Sequence, residues 1–434
     1  MSAFEFDLMN MAIMVTVAWL TPLQFIPLMI WLERKGAAII QDRIGPNRAA
    51  IFGVRLFGML HNIADVIKLM MKEDITPNHV SRFYYLLAPF WAMTIALIPL
   101  MLIPFAASVP VGEFLFRFQA TNFDNSLLLL FAVTGLGVYG IILAGWASNN
   151  KFSLLGGLRS SAQMISYELT MALAIVGILL VYNELRIEKI VEAQGRFIEF
   201  GNYYIALPAW GIFLQPIGFF LFLIAAFAET NRTPFDLAEG ESELVAGYHI
   251  EYSSMKFALF FMAEYANMVV ASLVVATLFL GGYQLPGLDT NALRSNPNQT
   301  AILALAMLAL GMGIAGYATF KRIRKQKQLF ASGGSRLEYP VLAIVFIGAA
   351  LTALALIPIV PGIHFDADFA NWMTMALQAG TLLGKALIFC WLFVQIRWTL
   401  PRFRYDQLMN LGWRMLMPLA LLNIVITALV KFYF

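Results

Sequence analysis

Apolar runs recur along the whole chain, near residues 9–32, 84–106, 126–147, 161–183, 205–228, 256–280, 300–320, 340–361, 371–396 and 411–432, with short charged segments between them. At 1.5 Å per residue, each is long enough to cross roughly 30 Å of hydrocarbon as a helix. The pattern predicts an all-α polytopic membrane protein of about ten transmembrane helices, forming a single membrane domain over 1–434. One segment breaks the pattern. Over 60–73, Leu60, Ile63, Ile67, Met70 and Met71 fall on one helical face, and His61, Asp65, Lys68 and Lys72 on the other. That spacing predicts an amphipathic helix lying at the membrane surface.

Lys and Arg set the orientation. If the loop after the first span is cytoplasmic, so are loops 33–83, 148–160, 229–255, 321–339 and 397–410. With Arg414 these carry about 21 of the 29 basic residues. The other side has Arg117, Arg186, Lys189, Arg196, Arg294 and Lys431. Ten spans then put both termini outside. The N-terminus lacks a basic region before its apolar run and has Glu5 and Asp7 instead, so it reads as a first span and not as a cleaved signal.

Composition agrees and narrows the chemistry. Of 434 residues, 60% are hydrophobic and 13% charged, against about 25% charged in a soluble domain. The bilayer is therefore the main solvent. A net charge of +3 is too small to suggest nucleic acid. Cys390 is the single cysteine, which excludes an intrachain disulfide and a cysteine-ligated iron–sulfur cluster. His61, His79, His249 and His364 are far apart without metal-ligand spacing, and no GxGxxG, Walker or HExxH pattern occurs. A redox centre is not expected in this chain.

The informative residues are charges at positions where charge is costly. Glu168 lies within span four, Glu264 about two turns into span six, Lys385 midway through span nine, and Glu229 closes span five. Each costs roughly 2.5–3.5 kcal/mol at a bilayer centre, so each calls for a partner or a wet cavity. A static ion pair, for instance Lys385 with one of the glutamates, is the plain alternative. The densest acidic segment follows span five: Glu229, Asp236, Glu239, Glu241 and Glu243, with Arg232 among them and Glu251 beyond. Thr233-Pro234-Phe235-Asp236 has the form of a helix start, with Thr as cap and Pro at the first position. Asp236 is then structural. Glu239 and Glu243 repel at i,i+4 spacing, and crowded, partly desolvated carboxylates titrate higher than free ones, as a proton relay requires. A solvated acidic loop is the plain reading.

Basic residues beside turns and aromatics form the complementary half. Glu33-Arg34-Lys35-Gly36 and Asp42-Arg43-Ile44-Gly45-Pro46-Asn47-Arg48 follow span one, and Arg397 to Asp406 precedes the last span. Arg beside aromatic rings suits a polar head group or a docked partner, although the positive-inside pattern alone would also put charge there.

Several of these strings together resemble a known family. Glu33–Arg48, Ala64–Pro77 (ADVIKLMMKEDITP), Gly145–Glu168 (GWASNNKFSLLGGLRSSAQMISYE), Ala228–Asn267 and Pro401–Met409 (PRFRYDQLM) resemble, in the family's order, the quinone-site membrane subunit of respiratory complex I, the proton-pumping NADH–quinone oxidoreductase of bacteria and mitochondria. The resemblance implies that the chain's cytoplasmic loops help build the chamber where a quinone, ubiquinone the leading candidate, is reduced. It implies that FMN and iron–sulfur clusters sit in partner subunits of the peripheral arm, and that antiporter-like membrane subunits are further partners. A bacterial inner membrane is the favoured location, with a mitochondrial inner membrane open. Carried over by motif position, the relay candidates are Asp65, Glu168, Glu229, Glu239, Glu241 and Glu251, then Glu33 and Glu264. Arg34, Arg43, Arg232, Arg402 and Arg404 resemble the basic residues of the chamber and its loops. Lys385 is an intramembrane base without an assigned role, and no metal ligands are implied.

The family core has about eight spans, so 300–361 reads as an inserted two-helix hairpin, facing lipid or an accessory subunit, with a role in quinone entry as the alternative. Three other functions compete. The related membrane subunit of an energy-converting hydrogenase shares the fold, but Asp42–Arg48 and Pro401–Met409 favour the quinone type. A stand-alone transporter would show Gly/Pro-interrupted spans in corresponding halves. A scaffold would have no need of intramembrane acids.

Overall fold

A computed structural model describes residues 3–43, 45–51, 56–200, 203–236, 245–329 and 338–433. The first helix, α1 (Ala3–Ile40), has 38 residues, about 57 Å of helix, so it overruns the bilayer and carries Glu33 and Arg34 on its inner end instead of in a loop. The amphipathic segment forms α2 (Leu60–Met71) as predicted. Then come α3 (Arg82–Leu97), the hairpin β1 (Val109–Val111) and β2 (Phe114–Phe116), α4 (Ser126–Gly135), α5 (Gly137–Ala147), α6 (Lys151–Tyr182) and α7 (Ile187–Gln194). The Asn150 side chain caps α6 by accepting from Phe152 N–H, and Asn183 ends it in the left-handed region. A second hairpin, β3 (Phe197–Phe200) and β4 (Tyr203–Pro208), leads to the short α8 (Gly211–Leu214) and to α9 (Pro216–Glu229). The rest is α10 (Ser254–Phe279), α11 (Thr290–Ser295), α12 (Pro297–Leu329), α13 (Glu338–Leu356), α14 (Ala367–Thr399) and a last span, Tyr405–Tyr433, with a π-helical turn at Leu411–Leu416.

Among the described residues nine helical stretches are long and apolar enough to span a membrane, and α9 is a shorter tenth. Here the sequence reading needs correction. The run 205–228 is not one span: its outer end, through Pro208, is strand, and the helix proper has 14 residues, about 21 Å. Pro208 and Pro216 donate no backbone N–H, and the Gly211 N–H is taken by the Gln194 side chain at 3.2 Å. A continuous helix over 205–228 therefore loses bonds that the hairpin and the Pro216 start avoid. A second correction concerns Thr233-Pro234. No helix begins there; residues 231–236 form turns with a cis Thr233–Pro234 bond. Tertiary contacts outweigh the local cap signal. Phe235 stacks on Phe403 with centroids 5.5 Å apart and packs on Tyr167 at 5.8 Å, and Phe403 N–H donates to the Pro234 carbonyl at 3.0 Å.

The most enclosed span is α10: 72% of its apolar window is buried, against 17% and 22% for the two hairpin helices α12 and α13. That contrast places α10 at the centre of the bundle and the hairpin at its edge. The loops sort onto two ends. At one end, Lys256 bonds Asp74 and Thr76, Asn149 donates to the His79 carbonyl, Asn150 reaches Glu251, and Arg402 reaches Asp236. At the other, Asn122 meets Glu188, Gln378 meets the Ala107 N–H and Thr290, and Arg294 donates to the Ser108 carbonyl. The segments brought together at the first end are those the Lys/Arg count assigns to the cytoplasm. One close approach matters for the site. A side chain on Gly156 of α6 would come within 2.6 Å of Gly247 Cα, so loop 245–250 lies directly on α6, and Ser153 fixes it by donating to the Tyr248 carbonyl at 2.9 Å.

Candidate functional site

Four charged residues meet at the inner end of the bundle. Glu33 of α1 takes the Arg397 guanidinium of α14 at 2.6 Å, and Arg232 lies 3.6 Å from Glu33 and 3.7 Å from Glu264 of α10. Two hydroxyls complete the set: Tyr265 donates to Glu33 at 2.9 Å and Tyr248 to Glu264 at 3.0 Å. The Arg232 guanidinium also covers the Tyr265 ring, 4.2 Å from its centroid, in cation–π geometry. Arg232 and Glu33 are both buried. Two carboxylates face two guanidiniums, so this group is charge-balanced, and one tyrosine hydroxyl orients each carboxylate. Neither Arg397 nor the two tyrosines stand out in the sequence. Arg397 sits at the end of an apolar span where topology alone accounts for it, and a tyrosine hydroxyl leaves no trace in a hydropathy pattern.

Glu264 is also the rim of a cavity. Glu229, Thr134, Asn231, Asn267 and Tyr248 share its lining, and about 40 Å³ is open to the centres of water molecules. Such a space, lined by several polar groups, suits a few waters. Beyond it lies Glu168 of α6, in whose field Glu229 stands. Among the described residues no basic side chain lies within ion-pair distance of Glu168 or Glu229. The two acids thus differ from Glu33 and Glu264, which are pinned. Gly135 makes room for Glu168: a Cβ there would overlap the Glu168 carboxyl, the flexible end of its side chain. Gly135→Ala should therefore leave folding within about 1 kcal/mol of the parent, while turning the Glu168 carboxyl away from its present position. An unmoved Glu168 carboxyl in a structure of the variant would show that Gly135 is not what makes room for it.

The other predicted residues spread around this core. Asp65 of α2 pairs with Arg34 at 2.6 Å, both half-exposed. Glu251 accepts from Asn150 at 2.7 Å, and its carbonyl from Tyr85 at 2.6 Å. Asp236, buried, is held by Arg402 at 3.1 Å, in keeping with a structural role. Burial holds the neighbouring His249 imidazole down at about 4, so it is neutral near pH 7. Arg404 grips Asp406 at 2.6 Å on the exposed surface, and Arg43 contacts Gln41 at 2.6 Å. Arg232 thus stands apart from the other basic candidates: it points inward to the acids. Glu239 and Glu241 lie outside the described residues. Among the described residues no glutamate pairs with Lys385. Its ammonium donates to the carbonyls of Leu280, Gly282 and Gln284 at 2.7, 2.8 and 2.7 Å and lies over the Trp210 ring. It is a cation at the C-terminus of α10, where unpaired carbonyls and the helix dipole favour one.

A family model described as NADH dehydrogenase matches residues 11–428. The chain belongs to this family. An NADH-quinone oxidoreductase subunit of Solibacter usitatus is 43% identical over 401 residues, covering 92% of this chain and 90% of the relative. NADH-quinone oxidoreductase subunit 8 of Rhodothermus marinus is 40% identical over 403 residues, covering 92% and 91%. An NADH-quinone oxidoreductase subunit of Bdellovibrio bacteriovorus is 36% identical over 443 residues, covering 98% and 97%. With its long apolar helices, this member of the NADH dehydrogenase family is a multi-pass integral membrane protein.

Proposed function

We propose that this chain is the quinone-side membrane subunit of a proton-translocating NADH–quinone oxidoreductase, and that it couples quinone reduction to proton movement through its buried acids. The observation that carries the reading is a run of polar groups from the basic inner face into the bundle. It begins at the Arg34–Asp65 pair and continues through Arg397, Glu33, Arg232 and Glu264. It then crosses the cavity to Glu229 and, in its field, Glu168. The balanced group transmits charge: a change at the inner face alters the field on Glu264 through guanidiniums that are already engaged. The other two acids, Glu229 and Glu168, are the ones assigned to move protons, because among the described residues no base within ion-pair distance holds either carboxyl. Glu251, and Glu239 and Glu241 with it, supply further acids on the inner side.

The quinone, with ubiquinone the leading candidate, is the substrate of the assembled enzyme. Its chamber is built jointly by the inner end of α1 with Arg34, by the loops bearing Arg43, Arg402 and Arg404, and by a peripheral-arm partner. FMN and iron–sulfur clusters belong to partner subunits, and the proton signal passes to antiporter-like membrane subunits. The hairpin 300–361 is a peripheral addition to the core spans. Glu229→Gln, close in size, tests the coupling role. In the complex reconstituted into liposomes, proton pumping driven by quinone reduction should fall several-fold, while NADH-driven reduction of a water-soluble acceptor stays at the parent rate. Full pumping in an assembled variant would remove Glu229 from the relay.

A further inference from the structure

The edge hairpin leaves an apolar groove that the proton-relay reading does not use. It lies on the end opposite the basic loops, walled by Ala301, Ala304 and Leu305 of α12, Ile359 and Val360 of the turn after α13, and Phe369 of α14. Phe365 stacks on Phe369 with centroids 5.4 Å apart and makes one wall rigid. No charged or hydrogen-bonding side chain is among the lining residues. The space is about 320 Å³, roughly twice a ~150 Å³ apolar cavity that admits one benzene ring, and so takes a hydrocarbon segment of roughly a dozen carbons. The groove is open on its outer side, between helices that are among the least enclosed of the bundle.

Hydrocarbon surrounds this surface in any bilayer, so the groove gains little from apolar transfer alone; close packing and the polar group at its mouth decide what stays. Asp366 lies one helical turn before the lining residue Phe369, with Asp368 two residues after it and His364 two residues before it, all three exposed. Arg294, a base on that end, is turned to the Ser108 carbonyl. The mouth is therefore acidic. Anionic head groups are repelled there, and a head group that carries an ammonium is attracted. We infer that the groove holds one acyl chain of an ethanolamine phospholipid from the outer leaflet, its ammonium against Asp366 and Asp368. An open apolar groove of this volume fits a single chain, where a partner helix would need a broader face.

The test uses the whole complex in bilayers containing phosphatidylethanolamine or phosphatidylglycerol with a photoreactive group on the acyl chain. Ethanolamine lipid should label peptides around 301–305 and 356–373 several-fold more than glycerol lipid. Asp366→Asn with Asp368→Asn should bring the two lipids level; Asp366 makes no side-chain cap bond, so helix α14 keeps its start. Ala304→Phe, which fills the slot, should abolish the label. Equal labelling by both lipids in the parent would overturn the head-group assignment. Labelling that persists in Ala304→Phe, or no labelling in the parent because a partner helix occupies the slot, would overturn the site. So would preferential labelling by a quinone with a photoreactive tail.

Discussion

Arg232→Met is expected to cost about 3–5 kcal/mol, because it strands buried carboxylates that were paired. Glu33 keeps Arg397 at 2.6 Å and Tyr265 at 2.9 Å, and Glu264 keeps the Tyr248 hydroxyl at 3.0 Å. The four-group balance is nonetheless broken by one charge. The effect should appear as a lower melting midpoint of the purified complex and as loss of quinone reduction. Two companion variants separate charge from shape. Arg232→Lys keeps the charge but not the planar group over Tyr265, so it should fall between parent and Arg232→Met. Glu264→Gln in the Arg232→Met background removes the stranded carboxylate and should recover part of the stability. If Arg232→Met melts with the parent, the balanced group contributes nothing to holding α1, α10 and α14 together.

Lys385→Met is the second large effect. It deletes three hydrogen bonds to the end of α10 and leaves the carbonyls of Leu280, Gly282 and Gln284 without their donor. Each unsatisfied buried carbonyl costs about 1–3 kcal/mol; since the variant also spares the burial of a charge, the net loss should be about 3 kcal/mol. The damage is local in kind. Amide hydrogen exchange in 280–288 should speed up well before that of α6, and the loop should become open to proteolysis from the outer face. Exchange at the parent rate in that loop would mean that water or neighbouring groups satisfy the three carbonyls, and that Lys385 serves something other than the cap.

How much of this was legible in the sequence differs from element to element. The spans of α3, α6 and α10 follow from long apolar runs broken by at most one acid, since a helix is the open-ended structure that satisfies every backbone group in hydrocarbon. The amphipathic α2 follows from its 3.6-residue period. The fifth span misled because Tyr203 to Pro208 is apolar without being helical, and hydropathy does not distinguish a strand hairpin over the bundle from the outer turns of a helix. Thr233-Pro234 misled for a related reason: a cap signal is worth about 1 kcal/mol, less than the roughly 1.5–3 kcal/mol from burying the Phe235 ring against Phe403 and Tyr167.

The sequence by itself determined that the chain lives in a membrane, on which end its bases gather, and which acids are out of place in its spans. Those conclusions rest on transfer energies that each residue carries with it wherever it lies. It could not determine which acids are pinned and which stand without a base. Glu33, Arg232, Glu264 and Arg397 come from four separate stretches of chain and pair at distances set by the packing of α1, α10 and α14. The same packing leaves Glu229 and Glu168 in one another's field and hands Lys385 to three carbonyls instead of a glutamate. A charge's cost is local, but its partner is chosen by tertiary structure, because electrostatic pairing depends on separations of a few ångströms that no spacing along the chain fixes.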